Sequence, residues 1–316
     1  MKKMIYAMLI VTGIVAISSC SKLNEETMEQ PKVSANSEYT EEFQQLQANI
    51  THFNDSVFGS AQVSIHTRGK RLWKWLAVAF SDAVGALVGS TVGIGGAVAG
   101  AAGCSLLAAN LDTKPLDGGG TAIIFRQRRG TKTAQTDILK DVVFNSKGTN
   151  GSICDSIGYF HNVAVFSVYE KQPRMIAAEL SATQGYVDSL LLCLDAALPT
   201  LTTVEKTELS RQPVVKSLMN NAYSMALESD SPDTFVNKIA NAYSSKANEI
   251  NLIRQFLEDL ETSEMLNLDN HNYAQQIINL VNDSSLPQNV KEAIVAGIEV
   301  GFASNKLWSS SIIAYE

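Results

Sequence analysis

RLWKWLAVAFSDAVGALVGSTVGIGGAVAGAAGCSLLAA, residues 71–109, is the stretch on which the fold turns. From Ala83 to Ala109 it carries no charged side chain. Gly85, Gly89 and Gly93 are spaced by four, and so are Gly96 and Gly100. In an α-helix that spacing stacks small residues on one face, where a second helix backbone can approach closely. The seven glycines of the stretch each cost about 1 kcal/mol in a helix relative to alanine. Large apolar side chains between them are few, so a lone helix would be marginal and the segment needs a partner face. Two helical arrangements follow. In one, residues 74–92 and 96–110 form a hairpin pivoting on Gly93, Gly95 and Gly96; in the other, one long helix oligomerises. An aggregation-prone strand is the third reading of so uncharged a run.

The flank bears on the choice. Arg71, Trp73, Lys74 and Trp75 place cations beside tryptophans, the pattern of a membrane-interface belt. Asp82 points the other way, because a carboxylate within hydrocarbon costs about 2.5 kcal/mol or more. The run resembles the glycine zippers of bacterial envelope lipoproteins and of some membrane-active peptides. The resemblance covers about forty residues of the 316 and implies close helix packing, with Gly85, Gly89, Gly93, Gly96 and Gly100 as the packing residues. Contact with a membrane and burial as a hairpin inside the fold both remain open.

Upstream, MKKMIYAMLIVTGIVAISSC, residues 1–20, has the anatomy of a secretory signal: Lys2 and Lys3, an apolar core, then small residues. The core is too short for a membrane span of about 20 residues. Ile17-Ser18-Ser19-Cys20 resembles the lipobox of bacterial lipoproteins. That resemblance implies cleavage after residue 19, a lipidated (palmitate-bearing) Cys20, and a lipid bilayer as partner. The position after Cys20 is Ser21, not the aspartate that resembles an inner-membrane retention signal, so the outer membrane is expected. The Lys22, Glu25 and Glu26 cluster resembles the surface-export tags of some Gram-negative lipoproteins, which would place the chain on the cell surface; a plain polar tether is the alternative.

Downstream, LDTKPLDGGG at 111–120 marks a boundary. Ala122 to Phe125 reads as a short strand, followed by a basic turn. From about residue 157 the pattern is helical. Tyr159 to Tyr169 forms one candidate helix; Pro173 opens another, which Pro199 stops. A third spans about 204–228, and Ser231-Pro232 and Ser285…Pro287 open others. Apolar stripes run through Ile250, Ile253, Phe256, Leu257 and Leu260, and through Tyr273, Ile277, Ile278 and Val281. Near the N-terminus, Phe43, Leu46, Ile50 and Phe53 trace an amphipathic helix over 38–58. The expected fold is mostly α, with a lipid-anchored tether, a Gly/Ala-rich helical hairpin and a C-terminal antiparallel helical array. The expected divisions are a signal peptide (1–19), a lipidated tether with its short helix (20–67), the glycine-zipper segment (68–110), a linker with short strands (111–156) and a helical domain (157–316).

Composition narrows the function. Without Lys2 and Lys3 the chain has 23 basic against 32 acidic residues, a net charge near −9, and no basic face for nucleic acid. Once Cys20 carries lipid, Cys104, Cys154 and Cys193 remain; one disulfide with a leftover thiol is the alternative, but Cys104 lies in an apolar run and Cys193 on an apolar helix face, so no structural disulfide is expected. His52, His66, His161 and His271 lie far apart in sequence, and no HExxH, paired CxxC, GxGxxG, Walker A or GxSxG motif occurs. No metal or cofactor is expected.

The closest approach to a site is Cys154 with Asp155-Ser156-Ile157-Gly158-Tyr159-Phe160-His161-Asn162. A Cys–His pair can support nucleophilic catalysis once folded together. The simpler reading is a cap at Asp155 or Ser156 opening a helix whose His161 and Asn162 bond backbone or neighbouring helices. This run resembles one in glycine-rich lipoproteins of gut-type Gram-negative bacteria, which brings no activity with it. The expectation is a non-enzymatic envelope lipoprotein with a structural or interaction role that self-associates through its zipper. The alternative is a secreted membrane-active effector of antibacterial type.

Overall fold

The computed structural model describes residues 39–59, 70–111, 126–127, 139, 142–144, 157–171, 194–229, 232–309 and 313–314. The signal peptide, Cys20, the tether, Ala122–Phe125, Cys154, the Asp155/Ser156 cap, Cys193 and the helix opened by Pro173 up to residue 193 lie outside the described residues; residues 194–197 are helical and end before Pro199, and the expected basic turn opens instead as a strand at Arg126-Gln127. All described residues fall in one compact unit, Ser37–Glu316.

The protein is mostly α-helical. Its helices are α1 (Thr40–Phe58), α2 (Lys70–Gly89), α3 (Ile94–Leu111), α4 (Ile157–Lys171), α5 (Thr203–Ser210), α6 (Pro213–Leu227), α7 (Pro232–Ala242), α8 (Ala247–Met265), α9 (Asn270–Asp283) and α10 (Gln288–Ser309). A two-residue antiparallel pairing joins β1 (Arg126–Gln127) to β2 (Ile313–Ala314).

The glycine-rich stretch forms a helical hairpin at the centre. A 3₁₀ turn, Ser90–Val92, leads to Gly93, whose φ of 88° reverses the chain; a residue with a Cβ adopts that conformation only under strain. Gly85 then faces Gly100, and Gly89 faces Gly96. A Cβ at residue 85 would stand 2.5 Å from the Gly100 carbonyl oxygen, and one at residue 89 would collide with the Gly96 carbonyl. The two backbones are therefore in direct contact. Residues 81–90 and 97–105, mostly small side chains with Val84, Leu87, Val88 and Val98 among them, are all buried.

A helix apolar on every side is buried on every side, and this hairpin is wrapped accordingly. Helix α2 packs on α3, α10, α7, α8 and α6; α3 packs also on α6 and α4. Among the described residues, no helix is long and apolar enough to cross a membrane.

The outer helices are amphipathic, with stripes turned inward. Phe43, Leu46 and Ile50 of α1, Ile250, Ile253, Phe256, Leu257 and Leu260 of α8, and Tyr273, Ile277, Ile278 and Val281 of α9 are buried. Helix α1 docks on α8 and α9 through a polar bridge: Asn54 Nδ2 donates to Asp259 Oδ2 (2.7 Å), and the Tyr273 hydroxyl donates to Asn54 Oδ1 (2.9 Å).

The helix expected over 204–228 is two helices. Pro213 has no N–H to continue α5 but suits a first helical position. The chain breaks at Arg211-Gln212, whose amides turn back to Thr207, Glu208 and Leu209 carbonyls.

Candidate functional site

A charge-free run of 27 residues, Ala83 to Ala109, follows immediately on Asp82, and that carboxylate has nowhere polar to go within its own helix. Tertiary structure supplies its partners. Asp82 on α2 is fully buried, and its Oδ2 accepts hydrogen bonds from Ser105 Oγ on α3 (2.8 Å) and Ser304 Oγ on α10 (2.6 Å). The Nε2 of His161 on α4 stands 3.4 Å from the same oxygen, within ion-pair range. Asp82 Oδ1 has no hydrogen-bond partner among the described residues. Four helices thus converge on one carboxylate, and the aspartate, the histidine and both serines have no solvent exposure.

His161 is fixed from its other side. Its Nδ1 lies 3.0 Å from Asn162 Oδ1, while Asn162 Nδ2 donates to the Ala303 carbonyl of α10 (3.0 Å). Because the amide nitrogen is the donor to Ala303, Oδ1 is an acceptor and Nδ1 carries the proton. Close contact between α4 and α10 is secured at Gly158, where a Cβ would come within 2.6 Å of the Glu299 carbonyl oxygen. Glu299, itself buried, accepts from the Ile157 amide (3.2 Å) and so satisfies one free N–H of the first turn of α4. Cys104 lies beside this joint as a buried free thiol. Burial foremost, and the Asp82 charge second, push it well above the usual thiol range, so it is held as an unreactive thiol.

Chemically this is a joint. In a nucleophile–base arrangement the serine hydroxyl meets a ring nitrogen. Here both serines donate to the carboxylate, and the two imidazole nitrogens face Asp82 and Asn162. The cluster also lies outside the two described clefts. The larger, about 730 Å³, is lined in part by Glu264, Asp269, His271, Phe302 and Lys306. There the His271 ring stacks on Phe144 (centroids 4.6 Å apart) and meets Phe302 edge-on, so it serves as packing. The other cleft, about 680 Å³ between α1 and the start of α8, is lined by Gln44, Gln47, Thr51, His52 and Asn251 among others. No group of three or more His, Cys, Asp or Glu side chains among the described residues is placed to hold a metal ion.

A second ionisable centre is the α1–α8–α9 bridge. Burial, opposed in part by the Asn54 hydrogen bond, pushes the Asp259 carboxyl up to about 6, with Glu258 adding to the rise. Burial likewise raises the Tyr273 phenol.

Of the residues singled out from sequence, Gly85, Gly89, Gly96 and Gly100 meet in the α2–α3 crossing and Gly93 makes the turn between the helices. Arg71, Trp73, Lys74 and Trp75 lie in the first turns of α2; their side chains, like Cys20, lie outside the described residues. The sequence reading treats Asp82 only as an obstacle to membrane burial and His161 only as a partner for Cys154 or a neighbouring helix. It does not pair them. A lone carboxylate at the edge of a charge-free run was the available signal, since a buried charge requires a partner. Searches against protein-family models, curated proteins and solved structures found no match to this chain.

Proposed function

We propose that the chain is an envelope lipoprotein, held on the outer membrane by an acylated Cys20, whose helical body is a structural or interaction module. The observation that carries the non-enzymatic part is the closure of the Asp82–His161 joint. Asp82 Oδ2, both serine hydroxyls, the His161 ring and Asn162 hold α2, α3, α4 and α10 together, and none of them lines either described cleft. Anchoring is supported by Ile17-Ser18-Ser19-Cys20 and by the arithmetic of acyl burial: at about 0.8 kcal/mol per methylene, more than one chain holds a protein on a bilayer. The expected partner is therefore the bilayer, with surface exposure through the Lys22–Glu26 tag; no nucleic acid or cofactor is expected. The zipper glycines are paired within the chain, so self-association through them requires exchange of the hairpin between copies.

Growth with an alkyne-tagged palmitate tests the anchor. Label is expected on the exported chain and absent from the Cys20→Ser variant; an unlabelled wild-type chain would overturn the proposal. The rival membrane-active effector draws on the uncharged 83–109 run, and dye release from vesicles by the full chain at micromolar concentration would favour it.

A further inference from the structure

We draw no further inference here: the strongest candidate, the cleft of about 730 Å³ between the α8–α9 corner and the C-terminal half of α10, carries nothing, because its lining sets the Glu264 and Asp269 carboxylates beside the Lys306 ammonium and the Asn270 and Asn305 amides, and nothing in the structure shows what occupies it.

Discussion

Gly85 and Gly93 sit eight residues apart and are glycine for different reasons. At 85 the obstacle is a neighbour: a Cβ would press on the Gly100 carbonyl and the Ala101 nitrogen, both backbone, which cannot rotate away as a side chain would. At 93 nothing lies within 4 Å, and the obstacle is the φ of 88°. Gly85→Val is therefore expected to destabilise by about 1–3 kcal/mol or more through overpacking. Gly93→Ala should cost about 1–3 kcal/mol through backbone conformation alone, because φ 88° with ψ −173° is a region open essentially to glycine only. A urea titration in which Gly85→Val costs nothing would contradict the crossing. Asp259 gives a prediction in pH. Its carboxyl is raised from 3.8 to about 6 in the fold, so between those values the folded state binds the proton more tightly and stability falls as pH rises. Above about 6 the ionised, mostly buried carboxylate costs about 3 kcal/mol relative to acid conditions. Asp259→Asn should be more stable than the parent at pH 8, with the advantage shrinking toward pH 4. A thermal-melt series showing no gain at pH 8 would refute it. At this scale the sequence shows which glycines are spaced to stack. Which carbonyl each one meets depends on where the hairpin turns, and which histidine meets Asp82 depends on a contact between residues 79 positions apart; periodicity carries no information about either.

Among the helices, ends are more legible than partners. Helix α9 begins where Asp269 accepts hydrogen bonds from the His271 and Asn272 amides, both at 3.0 Å, and Asp269→Ala should cost about 1 kcal/mol of stability in a denaturant melt; no loss would mean the first turn is held by packing alone. Before it, α8 ends with Asn267 at φ 53°, while Leu268 N–H returns to the Ser263 carbonyl and Asn267 N–H to Glu264, the αL closure that asparagine tolerates. The stripes of α8 and α9 are readable because one face of each is wet and the other dry. Helices α2 and α3 lack that contrast. With every side buried, they show no polar face, and a core hairpin and a membrane segment then look alike in sequence. The split at Pro213 is hidden for another reason: an apolar stripe can run on in register across a two-residue break, and the proline that reads as a breaker inside a helix reads equally as a starter at its first position.

For the molecule as a whole, the consequence is an inverted layout: the stretch with the smallest side chains lies innermost, α4, α6, α7, α8 and α10 pack on it, α9 lies outside them on α8 and α10, and α1 lies on α8 and α9. Close packing of backbones takes the place of bulky side chains at the centre, as expected where dispersion contacts accumulate with density. Helix α1, read from sequence together with the tether, belongs with the same compact unit, Ser37–Glu316, because Asn54, Asp259 and Tyr273 join it to α8 and α9. Cys104 reports on this arrangement from within, being a fully buried free thiol on α3 next to Asp82. The decisive measurement is maleimide labelling of the Cys20→Ser chain in the absence of any lipid or detergent, with modified peptides mapped by mass spectrometry. The hairpin-centred fold predicts that Cys104 stays unmodified in native buffer and labels fully in denaturant. Labelling of Cys104 in native buffer at the denatured rate would show that the glycine-rich hairpin is not the core of this protein.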